Sequence, residues 1–255
     1  MRFRDRVVLV TGAGRGIGRA IALAFARDGA AVAINAAHLS TAEETAAEAR
    51  KSGGRVIAIA ANVADETQVN AMVDRVVDEL GGLDVLVNNA GISQPIVPTL
   101  EQDTADWDRV MATNLRSAYL CTKAAGRHMV PHGSGRIVNI ASITALTGQP
   151  MRTAYAPSKA AMLTLTKAMA VEWGPFNINV NAVAPGYVMT DLVRTLIKQG
   201  KVNEDAILKR TPLGRLSAPE DIAEAVLFLA SDAARNITGI HIPVDAGWSV
   251  NGWYM

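Results

Sequence analysis

Tyr155 and Lys159 stand four residues apart in Tyr155-Ala156-Pro157-Ser158-Lys159. They open a stretch of helical period, so a phenol and an ammonium share one helix face. A phenol with a pKa of about 10 is a poor base at neutral pH, but a neighbouring cation favours the phenolate and draws that pKa down. Such a tyrosine can exchange a proton with an alcohol or a carbonyl. The spacing alone also describes an ordinary surface pair, and Ser142 is what sets this one apart. It follows the apolar run Arg136–Ile140, at the C-terminal end of a strand, where open α/β sheets bind ligands. From there its hydroxyl can address the same substrate oxygen.

A second constellation, Thr11-Gly12-Ala13-Gly14-Arg15-Gly16-Ile17-Gly18, follows the first apolar run and opens the first helical segment. Glycines let the chain turn tightly and approach a pyrophosphate, whose charge is stabilised by the free N–H groups and dipole of a helix N-terminus. The flanking strand and helix separate this motif from a chance glycine-rich turn and point to dinucleotide binding. The second strand ends in Ala33-Ile34-Asn35-Ala36-Ala37-His38. No carboxylate stands there to hold a ribose diol, which argues against a strict NAD preference. Arg15 offers a cation to a 2′-phosphate, so NADP is expected over NAD.

These residues need a scaffold, and the rest of the chain supplies its pattern. Apolar runs at Val7–Val10, Ala31–Ile34, Val56–Ala60, Val85–Val87, Arg136–Ile140, Ile178–Ala184 and Ile240–Val244 alternate with helical segments. Those segments are Ile17–Arg27, Thr41–Lys51, Thr67–Leu80, Trp107–Met129, Tyr155–Trp173 and Pro219–Ala230. Near-continuous apolar strands alternating with helices predict an α/β fold, a doubly wound, Rossmann-like parallel sheet covered on both faces. Gly29, Gly53-Gly54, Gly81-Gly82 and Gly174-Pro175 fall where helices should stop. No linker or repeat interrupts the rhythm, so residues 1–255 read as a single domain. The segment at about 189–210 departs from it, with Leu192, Val193, Leu196 and Ile197 at helical spacing, and reads as one helical substrate flap.

Composition narrows the function classes. With 25 basic and 24 acidic side chains the chain has no long-range field to attract polyanions. A small-molecule substrate is expected, with neither nucleic acid nor membrane as partner. The apolar run after the basic start, Val7–Val10, is too short for a signal peptide. The single cysteine, Cys121, fits a reducing compartment and reads as a small apolar core residue. The cytoplasm is the expected location. His128 and His132 are four apart, but Pro131 and Gly133 suggest that the helix ends between them, so no metal site is expected.

Taken together, the glycine segment Thr11–Gly18, Asn88-Asn89-Ala90-Gly91, Ser142 with Tyr155 and Lys159, and Pro185-Gly186 occur in the order of a known family. Over essentially its whole length the chain resembles the classical short-chain dehydrogenase/reductases. The resemblance implies that Tyr155 is the general acid/base and that Ser142 binds and polarises the substrate oxygen. Lys159 would bind the nicotinamide ribose and lower the pKa of Tyr155, and Asn114 would hold a water linking that lysine to solvent. Gly12, Arg15, Gly16, Ile17, Gly18, Asn35, Asn62, Val63, Asn89, Ala90 and Gly91 would border the cofactor. So would Pro185, Gly186, Val188 and Thr190, the last against the carboxamide. Asn114 has a plainer alternative as a turn cap, and Thr190 as the N-cap of the flap helix. One departure is Asn62-Val63 where the family often has Asp-Val; the amide oxygen can still accept the adenine amino group.

In the family the pocket forms after Asn88–Gly91, between Ser142 and Tyr155, and beneath the flap. Here those segments hold Ser93, Gln94, Gln149, Met151, Arg152 and Tyr187. Hydrogen-bonding groups of little bulk suit a sugar or polyol, with Gln94, Gln149 and Tyr187 as contacts beside Ser142 and Tyr155. A 3-oxoacyl thioester on a carrier protein or coenzyme A is the alternative. A dinucleotide-binding regulator without chemistry is the distant one, since both tyrosine and lysine are kept. By analogy the assembly is a homotetramer, paired through the long helices. The tail Gly247–Met255 carries Trp248 and Trp253 and is expected at a subunit contact or the substrate pocket.

Overall fold

Seven strands form one parallel sheet: β1 (Val7–Val10), β2 (Ala31–Ala36), β3 (Val56–Ala60), β4 (Val85–Asn88), β5 (Gly135–Ile140), β6 (Ile178–Pro185) and β7 (His241–Val244). The computed structural model describes residues 1–252, so Trp253, Tyr254 and Met255 of the tail lie outside the described residues. The spatial order is β3-β2-β1-β4-β5-β6-β7. It reverses between β1 and β4, where Val8, Leu9 and Val10 pair with Val85, Leu86 and Val87. A crevice opens at the C-terminal ends of strands at such a reversal.

The central strands are apolar on both sides because both faces are covered. Helices α1 (Gly16–Arg27), α2 (Leu39–Arg50) and α9 (Pro219–Ala230) pack on one face through Ile21, Phe25, Ala46, Ile222 and Val226. Helices α3 (Glu66–Leu80), α5 (Ser117–His132) and α6 (Tyr155–Trp173) pack on the other through Met72, Val76, Leu120, Ala125 and Ala170. A loop stop is explicit at α3, which ends on Gly81 with φ 88°.

Two expectations are corrected here, and a third gains its detail. The single helix expected over Trp107–Met129 is α4 (Thr104–Met111), a five-residue π-helical turn at Ala112–Arg116, and then α5. The backbone stays in the right-handed helical region at Met111 and Ser117, so the axis runs on while its hydrogen-bond register widens. The helical segment expected at about 189–210 is built from a pair, α7 (Asp191–Lys198) and α8 (Glu204–Arg210), separated by a turn with Gly200 at φ 68°. Finally, α5 does not stop between His128 and His132. It carries Pro131 inside its last turn and ends at Gly133, φ 65°. There a missing N–H costs one helical bond rather than the helix.

Candidate active site

The glycine segment leaves β1 packed closely against the residues after β4. A Cβ at Gly12, φ 61°, would lie 2.8 Å from the Cα of Ala90, and one at Gly18 would run into the Asn89 amide. Thr11 and Asn89 hold this contact. Asn89 Nδ2 donates to the carbonyls of Thr11 (2.8 Å) and Gly12 (3.0 Å), while Thr11 Oγ1 accepts from the backbone N–H of Asn89 and of Ala90. Asn35, expected among the cofactor contacts, is buried instead. Its Oδ1 accepts from Gly12 N–H, and its Nδ2 donates to backbone carbonyls of Ile59 and Ala61. It holds the loop rather than facing the crevice.

Helix α1 then starts at Gly16, behind an extended Arg15, with no side chain capping its first N–H groups and no acid in its first turn. Uncapped donors at a positive dipole end are what a pyrophosphate requires. Thr190, across the crevice, would touch a Cβ on Gly16 at 3.5 Å, and it also caps α7 through Val193 N–H. Val188 is buried and bridges to Ser217. Gly186 must stay bare because a Cβ there would meet the Asp245 side chain at 2.6 Å. Asn62 Oδ1 accepts from Ala64 N–H in a local turn and retains a second lone pair. The residues therefore fit a dinucleotide.

At the far end of the crevice, β5 runs out into Ser142 and α6 begins at Tyr155. Lys159 is 3% exposed, donates to the carbonyl of Ile140 at 2.7 Å, and lies 5.9 Å from the centre of the Tyr155 ring. No carboxylate pairs with it among the described residues. Burial pushes its ammonium down to about 8. Burial also raises the Tyr155 phenol, opposed by its hydrogen bond with Ser142 and by the charge of Arg152. The expected downward tuning by Lys159 is thus corrected: in the free protein burial outweighs the cations, and the cation opposing it is Arg152. A Cβ on Gly91 would sit 3.5 Å from Lys159 Nζ and 3.3 Å from Asn114 Oδ1. Glycine leaves that corner its full room.

The π-helical turn is what delivers Asn114 to this corner. Its amide exchanges both hydrogen bonds with the backbone of Ile92 (2.8 and 3.0 Å) and donates to Ser158 Oγ, which in turn donates to the Tyr155 carbonyl. Gln94, expected to touch substrate, does something different. Buried at 4% exposure, its Oε1 accepts the N–H groups of Ala154 (2.8 Å) and Tyr155 (2.7 Å), and its Nε2 donates to Gln102. It supplies the acceptor that the first turn of α6 otherwise lacks. Replacing it by alanine strands a buried donor at Ala154, at a cost of about 1–3 kcal/mol, and a partly buried one at Tyr155. Gln94→Ala should therefore lower the melting temperature by several degrees and cut turnover by about tenfold, read by thermal denaturation beside steady-state kinetics.

A small apolar cluster that no periodicity revealed begins at Ile143, the residue after Ser142. Ile143, Ile207 and Trp248 pack together with Tyr187, Val202 and Leu216 around them. Trp248 meets Tyr187 edge to face at 5.6 Å, and the Arg210 guanidinium stacks over it at 3.8 Å. Gln149 is half-buried with no protein partner for its amide among the described residues. Cys121 is buried, its thiol pushed up to about 12 by burial, and takes no part. No cluster of three His, Cys, Asp or Glu side chains suited to a metal occurs among the described residues.

A dinucleotide crevice with a serine, a tyrosine and a buried lysine at its inner end defines a nicotinamide-dependent oxidoreductase acting on CH–OH groups. A family profile described as "Enoyl-(Acyl carrier protein) reductase" matches residues 12–249. The chain is 44% identical over 247 residues to cis-4-hydroxycyclohexanecarboxylate dehydrogenase of Sinomonas cyclohexanicum, covering 97% of this chain and 98% of that one. It is 42% identical over 244 residues to a 3-oxoacyl-[acyl-carrier-protein] reductase of Synechocystis, covering 95% and 96%. The solved structure of 7α-hydroxysteroid dehydrogenase, in complex with NADH and 7-oxo glycochenodeoxycholic acid, superposes with a TM-score of 0.91 at 34% identity, covering 96% and 95%. The chain belongs to the short-chain dehydrogenase/reductase family. It interconverts alcohols and ketones with NAD(H) or NADP(H).

Proposed function

We propose that the protein is a dehydrogenase of small, polar secondary alcohols of the sugar or polyol type, with Tyr155 as acid/base and NADP as the preferred cofactor. The observation that carries the catalytic roles is Lys159, a buried ammonium with no counter-ion, set against the tyrosine ring and tied to the strand that presents Ser142. When bound, the dinucleotide accepts or returns a hydride at its nicotinamide C4. Tyr155 Oη carries the matching proton, and Ser142 Oγ hydrogen-bonds the substrate oxygen as charge develops on it. Lys159 holds the nicotinamide ribose, and Asn114 keeps Ile92 and Ser158 in place beside it. The Gln149 amide and the Tyr187 hydroxyl have no hydrogen-bond partner among the described residues, which favours a hydroxylated ligand over a long acyl chain. The reading is tested by assaying sugars, polyols and 3-oxoacyl thioesters with each nicotinamide cofactor. Turnover of thioesters alone would make the reductase reading the right one.

The cofactor preference rests on the end of β2. Ala36 faces the glycine loop, where a Cβ on Gly14 would lie 3.2 Å from its own Cβ. Arg15 is exposed and unpaired among the described residues, whereas Arg19 is spent on Glu48. Introducing Ala36→Asp should raise KM for NADP by about 10- to 100-fold and improve NAD, while Arg15→Ala should weaken NADP alone by about tenfold. Steady-state kinetics with both cofactors reads the switch. An unchanged ratio in both variants would remove the basis for the preference.

Family analogy supports a homotetramer, and the exposed faces of α5 and α6, with Tyr119 and Val171 among them, are available for it. Light scattering on the purified protein decides this. No helix among the described residues is long and apolar enough to cross a membrane. Residence in a reducing compartment, the cytoplasm, fits a lone buried thiol.

A further inference from the structure

Beyond its charge opposing the rise of the Tyr155 phenol, Arg152 takes no step in the chemistry above, yet it stands beside it. It lies in the segment joining Ser142 to Tyr155, its guanidinium carbon 6.0 Å from the centre of the tyrosine ring. It is half-buried, and the one hydrogen bond its guanidinium makes to protein runs from Nη1 to Ser93 Oγ at 2.7 Å. No carboxylate among the described residues answers its charge. The residue before it, Met151, is held at φ 58°, a backbone conformation uncommon for a residue with a side chain. Flanking bonds fix the same turn: Thr153 Oγ1 donates to Gln102, and the Trp107 indole donates to the Thr153 carbonyl at 3.1 Å. The chain thus holds a cation at the rim of the reaction centre with four of its five N–H donors unspent.

We propose that Arg152 binds a carboxylate on the substrate, so that the physiological substrate is a hydroxy acid or its oxo acid rather than a neutral sugar. A planar guanidinium pairs with a carboxylate through two parallel hydrogen bonds. A phosphate dianion would call for further cations or a helix N-terminus aimed at the same spot, and the segment brings neither. The inference rests on the dehydrogenase reading and specifies its substrate. In the oxidation, the carbinol C–H bond breaks with its electron pair, passing as hydride to the oxidised dinucleotide. The hydroxyl proton passes to Tyr155 Oη and on to solvent, the carbonyl forms, and the carboxylate emerges unchanged.

The test pairs hydroxy acids with neutral partners: D-gluconate with D-glucitol, and ring hydroxy acids with their carboxamides. Each pair is assayed in the wild type, in Arg152→Gln and in Arg152→Lys. The expected result is a preference for the anion of roughly 10- to 100-fold in kcat/KM. Arg152→Gln should collapse that ratio towards one through KM for the acid, and lysine should restore part of it. Equal use of acid and neutral partner by the wild type, or a preference unaltered by Arg152→Gln, overturns the carboxylate site and leaves the dehydrogenase standing. Failure to oxidise or reduce any member of the panel or the sugars, polyols and thioesters overturns both.

Discussion

Tyr155→Phe should lose about three orders of magnitude or more in kcat while still folding and binding dinucleotide. The phenylalanine ring occupies the same space beside Lys159 and Arg152, so packing and helix α6 survive, and only the atom that moves the proton is removed. Positioned acid–base groups contribute about 10²–10⁴-fold, and the same oxygen also stabilises the developing alkoxide, which places the loss at the upper end. Cofactor binding by fluorescence, thermal stability and turnover should be measured on one preparation. A variant that retains a tenth of wild-type turnover would show that another group moves the proton. A variant that loses turnover together with dinucleotide affinity would assign the tyrosine to binding.

The second large effect concerns Lys159, and it has two readouts. Lys159→Met should lower kcat/KM by about 100-fold or more, because the buried ammonium is the group placed to hold the nicotinamide ribose. It should also change how stability depends on pH. In the unfolded chain a lysine titrates near 10.5, and in the folded protein burial brings this one down to about 8. Below pH 8 both states carry the charge and the cost of burying it is fully present. Between 8 and 10.5 the folded protein has released its proton and the unfolded chain has not, so the cost is relieved; above 10.5 none remains. The wild type should therefore gain on Lys159→Met by up to about 3 kcal/mol between pH 8 and 10.5. Melting temperatures of the two proteins across that range, without dinucleotide, check it. Parallel curves would mean that the ammonium is solvated in the native state.

Much of the fold is legible in the residues themselves. Parallel strands buried on both faces, such as Val7–Val10 and Ile178–Pro185, read as unbroken apolar runs. The catalytic trio and the glycine turn are local motifs whose elements flank them in sequence. What escaped depends on hydrogen bonds between distant segments. Gln94 looks like any polar pocket residue until α6 presents two N–H groups to it from sixty positions away. Asn35 lies on a strand whose apolar pattern says nothing of Gly12. The π-helical turn at Ala112–Arg116 leaves no periodic trace because its backbone angles remain helical, although it is what aims Asn114. Arg152 was visible as a charge, but its distance to the tyrosine ring comes only from the turn at Met151. Burial of the phenol, which reverses the direction of its pKa change, is a property of the packed protein and of no spacing.

Those corrections share a pattern. Residues expected to touch a ligand, Asn35 and Gln94, instead hold the backbone of the glycine loop and of the start of α6, and such supporting contacts keep catalytic groups near productive geometry. Asn88 belongs to the same layer, bridging β4 to Thr122 on α5 and to Asn139 on β5. Of the apolar side chains on α7, Leu192 is the exposed one, at 63%.

A crystal structure with oxidised dinucleotide and a secondary alcohol bound bears on all of this at once. The phenolic oxygen of residue 155 should stand within about 3 Å of the alcohol oxygen, with the carbinol carbon over the nicotinamide C4 at about 3.5 Å. A fully occupied complex in which another side chain takes that hydroxyl proton's position, and the phenol points away from the ring, would contradict the account.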